Sequence, residues 1–79
     1  MRLDKFLKVS RLIKRRTIAK EVCDAGKISV NGRVAKAGTV LAVGDHLDIQ
    51  FGEKLLSVEV LRLDSVVKAG DADTLYRVL

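Results

Sequence analysis

The side chains best suited to chemistry in this chain are lysines and arginines, and they are concentrated near the N-terminus. Residues 1–36 hold eleven basic and three acidic residues, a net charge of +8. Residues 37–79 hold four basic and seven acidic residues, a net charge of −3. Charges spread evenly along a chain would indicate only solubility. The unequal distribution in this chain predicts one surface that binds a polyanion and another that faces away from it.

Groups that could catalyse a reaction or bind a metal are scarce. His46 is the single histidine and lies between Asp45 and Asp48. One imidazole with two carboxylates makes a poor transition-metal site, so we predict a solvated turn there. Neighbouring cations on the same helix could lower the pKa of Cys23, but without a partner base we favour an inert cysteine. No glycine spacing fits a phosphate-binding loop. We therefore expect no enzyme, no metal and no cofactor.

Length and cysteine content limit the class of protein. Seventy-nine residues are enough for one small domain, so we expect a single domain over 1–79. No apolar run reaches the ~18–20 residues that span a bilayer, and no secretory signal is recognisable. One cysteine cannot form an internal disulfide, which favours a reducing compartment and a cytoplasmic protein.

Two helices are predicted to open the chain. Leu3, Phe6 and Leu7 form an apolar stripe and predict a helix over 2–9. Residues 10–14 are expected to be a tight connection in which Leu12 and Ile13 are buried.

The second helix is predicted to begin near residues 15–17 and to end before Gly26. Ile18, Val22 and Ala25 are expected to face inward. Arg16 and Lys20 would then lie almost opposite them in solvent, with Cys23 nearer their side than the core.

After the second helix the apolar pattern changes to the period of strands. Residues 27–30 alternate and precede Asn31-Gly32, the strongest short hairpin signal. Residues 40–43 are a second short apolar run. Leu47, Ile49 and Phe51 indicate a half-buried strand. A turn at Gly52-Glu53 leads into a long strand, followed by a loop over 64–73 and a last strand over 75–79. The fold class is α+β, with two short N-terminal helices packed on a small, mostly antiparallel sheet.

The aromatic content helps to choose among polyanions. The three rings are Phe6, Phe51 and Tyr76, and both phenylalanines are predicted to be in the core. Modules that read single strands by stacking need several rings on a sheet. DNA recognition by a helix-turn-helix is open, but the second helix offers few base-reading groups. Structured RNA held through its phosphates fits best, and a membrane-surface or protein-interaction module is the alternative from another class.

The opening motifs resemble the α-L RNA-binding domain of small-subunit ribosomal protein S4, which some pseudouridine synthases and tyrosyl-tRNA synthetases share. The resemblance covers about residues 1–50, with a strand-rich extension over 51–79. It rests on the Arg2-Leu3-Asp4-Lys5 opening with Leu7, Arg16 with Ala19, Gly26, Ile28, Val30-Asn31-Gly32, Val40 and Gly44-Asp45.

Within that family the chain is most similar to small stand-alone bacterial members related to heat-shock protein fifteen. The resemblance implies a quality-control factor that binds stalled large ribosomal subunits carrying peptidyl-tRNA. Its implied partners are large-subunit rRNA, the peptidyl-tRNA and the tailing factor RqcH, which adds alanines to the nascent chain. The alternative is a general ribosome assembly or recycling factor. We expect a monomer that does not bind membranes.

The expected RNA-binding residues combine the positions matched by the resemblance with the cations of the two helices. Asp4 either orients a neighbouring arginine through a charge-assisted hydrogen bond or favours the helix N-terminus through the dipole. We favour a mixture in which the dipole effect is slightly the larger. The expected site residues are Arg2, Asp4, Lys5, Lys8, Arg11, Arg15, Arg16 and Lys20.

Overall fold

The computed structural model describes all residues from Met1 to Leu79 and has a helical layer on one face of a five-stranded sheet. The α+β prediction is confirmed. The helices are α1 (Leu3–Val9) and α2 (Arg16–Asp24), followed later by a 3-10 helix (Ala69–Leu75). The strands are β1 (Ile28–Val30), β2 (Arg33–Val34), β3 (His46–Phe51), β4 (Lys54–Val60) and β5 (Tyr76–Val78).

Helix α1 is fixed by its apolar stripe, as predicted. Leu3, Phe6 and Leu7 are completely buried and belong to the single core cluster. The connection to α2 spans residues 10–14, where Ile13 is buried and its N–H donates to the carbonyl of Leu7 at 3.1 Å. Leu12 is partly buried against the same core. The tight turn therefore returns the chain so that α2 packs beside α1.

The predicted inward stripe of α2 is right only for Val22, which is partly buried against the core cluster. Ala19 and Cys23 are fully buried, whereas Ile18 is 42% exposed and Ala25 is exposed. The two buried side chains are small, and a small side chain lets a neighbouring helix approach closely. Hydropathy alone favoured the larger Ile18, but the position of α1 decides which face of α2 is covered.

The end of α2 has the predicted form. Gly26 has a φ of +75°, and its N–H donates to the carbonyl of Cys23. The N–H of Lys27 donates to the carbonyl of Val22 at 3.3 Å. This pair of hydrogen bonds is a Schellman motif, which needs a left-handed residue at the position of Gly26.

The sheet is antiparallel throughout, in the order β2-β1-β3-β4-β5. Its inner face carries the core: Ile28 pairs with Ile49, and Leu47 pairs with Val58. All four are fully buried. The Asn31-Gly32 turn has positive φ at both positions, as the predicted hairpin requires.

The outer face of the sheet is mostly polar, although Val34 and Leu55 are exposed on it. Asp48 accepts a hydrogen bond from the Ser57 hydroxyl at 2.6 Å, and Glu59 forms an ion pair with Arg77. Phe51 was predicted to be in the core, which is wrong: its side chain is 40% exposed. It is the last residue of β3, beside the Gly52-Glu53 turn, beyond the part of the sheet that the helices cover.

The segment predicted as a loop over 64–73 is partly helical. The 3-10 helix buries Ala72 and Leu75, and Leu75 accepts backbone hydrogen bonds from Leu61 and Arg62. The helix therefore leads directly into β5. None of the helices is long and apolar enough to cross a membrane.

Candidate RNA interface

The centre of the candidate site is Asp4, a carboxylate bound by two arginines. Its side chain is 5% exposed. Arg16 donates from Nε to Oδ2 at 3.3 Å and from Nη2 to Oδ1 at 3.4 Å. The Nε of Arg2 lies 3.3 Å from Oδ1. Two positive groups thus converge on one negative group that is otherwise removed from water.

The pKa of Asp4 reflects this environment. Burial by itself raises the pKa of the carboxyl. The hydrogen bond from Arg16, the backbone N–H of Lys5 at 2.8 Å and the charges of Arg16 and Arg2 act in the opposite direction and prevail. The pKa therefore lies below its ordinary value, and Asp4 is ionised at neutral pH. Both roles considered for Asp4 have contacts in the structure: it binds the two arginines, and it lies in the first turn of α1, where it accepts the N–H of Lys5.

Arg2 is held in position by backbone contacts between the start of α1 and residues 37–40. The N–H of Leu3 donates to the carbonyl of Thr39 at 2.8 Å, and that of Asp4 donates to Ala37 at 3.1 Å. Arg2 itself forms a bridge with Val40. A Cβ added to Gly38 would lie 3.7 Å from Nη2 of Arg2, so the guanidinium passes directly over this glycine. Residues 37–40 are thus part of the site, a role that the sequence analysis did not assign to them.

Arg16 reaches Asp4 because the buried face of α2 differs from the predicted one. At 100° per residue, Arg16 lies within about 60° of both Ala19 and Cys23. It therefore borders the contact with α1, so its predicted position opposite the buried face is wrong. Its side chain is still 51% exposed, and the predicted exposure to solvent is confirmed. Lys20 is exposed, as predicted.

The guanidinium groups of Arg2 and Arg16 remain available to an external ligand. Their side chains are 53% and 51% exposed. A guanidinium has five N–H donors, of which Arg16 uses two on Asp4, whereas Arg2 contacts Asp4 through an ion pair at its Nε. The remaining donors suit the oxygens of a phosphate. Because the carboxylate fixes both groups in advance, a ligand would not have to immobilise them.

The other expected site residues lie on the same helical unit but do not join this cluster through a hydrogen bond or an ion pair. Arg15 is the N-cap residue of α2, where its side chain makes no capping bond. The side chains of nine N-terminal cations form neither hydrogen bonds nor ion pairs within the chain: Lys5, Lys8, Arg11, Lys14, Arg15, Lys20, Lys27, Arg33 and Lys36. By contrast, Arg62 and Arg77 of the C-terminal part are both paired with carboxylates. Nine of the eleven unpaired cations therefore lie in residues 1–36, and the other two are Lys54 and Lys68.

His46 and its neighbouring carboxylates are the first of two other groups considered for chemistry, and Cys23 is the second. His46 is the first residue of β3, paired in register with Glu59, and not part of a turn as predicted. Asp45 accepts hydrogen bonds from the Asn31 side chain and the Ala42 N–H. No group of three or more His, Cys, Asp or Glu residues is arranged to hold a metal ion.

Cys23 lies on the same side of α2 as Arg16, as predicted, but it is fully buried. Burial, followed by the charges of Asp4 and Asp24, raises the pKa of its thiol to about 11. Neighbouring cations therefore do not activate it, and the interpretation as an inert cysteine fits this environment.

The chain is also similar in sequence to a known family and to several known proteins. Residues 1–47 match the S4 domain family. The chain is 64% identical over 78 residues to the RQC P-site tRNA stabilizing factor of Halalkalibacterium halodurans, covering 99% of this chain and 89% of that protein. The factor of the same name from Bacillus subtilis is 56% identical over 79 residues, covering 100% and 92%.

A second group of relatives is named for heat shock protein 15. The Haemophilus influenzae heat shock protein 15 homolog is 33% identical over 78 residues, which are 98% of this chain and 60% of that protein. The trimeric structure of Vibrio cholerae heat shock protein 15 superposes with a TM-score of 0.92 at 28% identity, covering 100% of this chain and 81% of that one.

Proposed function

Since the chain belongs to the S4 domain family and, within it, to the RQC P-site tRNA stabilizing factors, we propose that it is an RNA-binding factor of ribosome-associated quality control. It stabilises tRNA in the P site and acts by binding, without a catalytic step of its own. The names of these relatives support tRNA as the ligand and quality control as the pathway.

The observation that carries the proposal is the cluster of Arg2, Asp4 and Arg16. Two half-exposed guanidinium groups are fixed in advance by one buried carboxylate. Surrounding cations have no partner within the chain, so the helical layer can neutralise phosphates at several points. Phe6 is buried and Phe51 lies at the end of β3, so these two rings do not form a surface on which single-stranded bases could stack. Recognition through backbone phosphates and RNA shape fits these features.

We further propose a specific complex in which the chain acts. The chain binds stalled large ribosomal subunits that carry peptidyl-tRNA, and it contacts both the tRNA and large-subunit rRNA. There it assists the C-terminal alanine tailing of the nascent chain by RqcH. All 79 residues act as one RNA-binding unit, as a cytoplasmic monomer that does not bind membranes. The family resemblance supports the large subunit, the peptidyl-tRNA and RqcH as partners, and the N-terminal concentration of positive charge is compatible with RNA partners.

The testing experiment is sedimentation of the tagged chain from gently lysed cells, with identification of the RNAs and proteins in its fractions. We expect co-migration with large subunits that hold peptidyl-tRNA. The double variant Arg2→Ala, Arg16→Ala should move to the top of the gradient. The matched control Arg62→Ala, Arg77→Ala removes the same charge from the C-terminal part and should still co-migrate.

Two other results would contradict the proposal. Migration with immature subunits that lack tRNA would favour the alternative of an assembly factor. Wild-type protein found only at the top of the gradient at low salt would exclude a ribosomal partner under those conditions. Purified RNA compared with anionic liposomes then separates an RNA-binding module from a membrane-surface one.

A further inference from the structure

A second cationic feature lies at the other end of α1, away from Asp4. It is a cleft of about 200 Å³ between the end of the helix and the segment that precedes the 3-10 helix. No acidic residue lines it. The lining residues are Lys8, Val9, Arg11, Ser65, Val66 and Val67.

The two cations of this cleft are not needed to complete the end of the helix. The backbone N–H of Ser10 donates to Phe6, that of Ile13 to Leu7 and that of Arg11 to Lys8. Three carbonyls of the last turn, to which basic side chains often bond, therefore already accept backbone hydrogen bonds. The side chains of Lys8 and Arg11 are left for a ligand from outside.

The opposite wall of the cleft is held in place by the core. Leu63 and Val67 are partly buried and pack against the core cluster. Val66, the next residue to Val67, is 91% exposed. Val67 thus anchors the segment to the core. The exposed side chain of Val66 lies beside two unpaired cations and the hydroxyl of Ser65.

We propose that this cleft binds a phosphate of the RNA backbone, with Lys8 and Arg11 on the phosphate and Val66 against the adjoining ribose. This inference rests on the proposed function and extends its site to residues 65–67. The cleft is smaller than the ~300–1,000 Å³ of sites that enclose a whole small molecule, which favours one group of a larger ligand. Cationic lining without carboxylates favours an anion.

The distance between the two sites suits a single RNA. Helix α1 has seven residues and is about 10 Å long. Asp4 with its arginines lies at one end and the cleft lies at the other. One strand that runs along α1 can therefore contact both, and the C-terminal half of the chain contributes to binding through residues 65–67.

The test measures binding of the full chain to large subunits that carry P-site tRNA. Val66→Asp places a negative charge at the mouth of the cleft, and we expect the affinity to fall roughly tenfold. Leu55→Asp is the matched control, because Leu55 is also a largely exposed apolar residue, 67% exposed on the outer face of the sheet. It should change the affinity less than about twofold. Urea unfolding of both variants should match the wild type, which excludes misfolding.

A photoreactive benzophenone side chain placed at position 66, and at position 55 for comparison, supplies an independent readout. Cross-links to RNA from position 66 alone would support the cleft. Cross-links from position 66 to protein only, or equal affinities of the Val66→Asp and Leu55→Asp variants, would overturn the cleft while leaving the Arg2 and Arg16 site intact. Failure of the wild type to bind any subunit would overturn both proposals.

Discussion

Arg16 on α2 donates to both carboxylate oxygens of Asp4 on α1, twelve residues earlier in the chain. The candidate RNA site is therefore built on the contact between two helices. The same ion cluster stabilises the packing of α1 against α2 and directs the guanidinium groups outward. Substitutions of Asp4 or Arg16 should therefore change both the free energy of unfolding and the affinity for RNA. The relative size of the two effects depends on which side chain is replaced.

Replacing Asp4 by asparagine should reduce both stability and RNA binding. The amide keeps one acceptor oxygen but loses the charge that holds Arg2 and Arg16 together. We expect the free energy of unfolding to fall by about 1–3 kcal/mol, measured by urea denaturation. Asp64→Asn is the control, because Asp64 pairs with Arg62 on the surface. Its cost should stay below about 1 kcal/mol. Equal losses in the two variants would mean that the buried cluster contributes nothing special.

Replacing Arg16 by alanine should weaken binding to the ribosomal complex by roughly 1–3 kcal/mol. Arg16→Lys keeps the charge but loses the planar fork, so it should recover only part of that loss. Arg62→Ala removes a paired arginine of the C-terminal part and should leave the affinity nearly unchanged. Unchanged binding of Arg16→Ala with an intact fold would remove this residue from the interface.

Acid should destabilise the protein through Asp4. Its pKa in the fold is lowered from 3.8, so the unfolded chain takes up the proton first as the pH falls. The contribution of Asp4 is present above about pH 4 and is lost as the pH falls through the lower, folded value. Urea unfolding from pH 6 to pH 2.5 should show a gap between wild type and Asp4→Asn that narrows below pH 4. A gap that stays constant over this range would contradict the lowered pKa.

Alkaline conditions should act through Cys23 with the opposite sign. Its pKa rises from 9.0 to about 11 in the fold, so the unfolded chain releases the proton first. Stability is present below pH 9 and is lost as the pH rises toward 11. Alkylation of the thiol at pH 8 should be about a hundredfold slower in native protein than in urea, from the thiolate fraction alone. Comparable rates would mean that α2 does not bury this side chain.

Local features of this fold could be predicted from the sequence. The stripe of Leu3, Phe6 and Leu7, the glycine that ends α2 and the Asn31-Gly32 turn each depend on residues a few positions apart. The corresponding elements are in the structure, within one or two residues of the expected bounds. Alternation also identified the buried positions Leu47 and Ile49 of β3.

Features that depend on distant parts of the chain could not be predicted in this way. The buried face of α2 depends on where α1 packs, so Ala19 and Cys23 were missed in favour of larger side chains. The burial of Asp4 depends on Arg16 and on the backbone of residues 37–39. Whether Phe51 is covered depends on how far the helical layer extends over the sheet. Each of these needs a tertiary contact that no local pattern contains.

The backbone pairing of residues 1–4 with residues 37–41 also sets an order of events during synthesis. Helices α1 and α2 leave the ribosome first, but the N–H groups of Leu3 and Asp4 find their acceptors only on Thr39 and Ala37. Contacts between segments so far apart in sequence form late relative to local turns. A nascent chain that ends before residue 37 therefore carries all the cations of the site without the backbone acceptors that hold Leu3 and Asp4 in place.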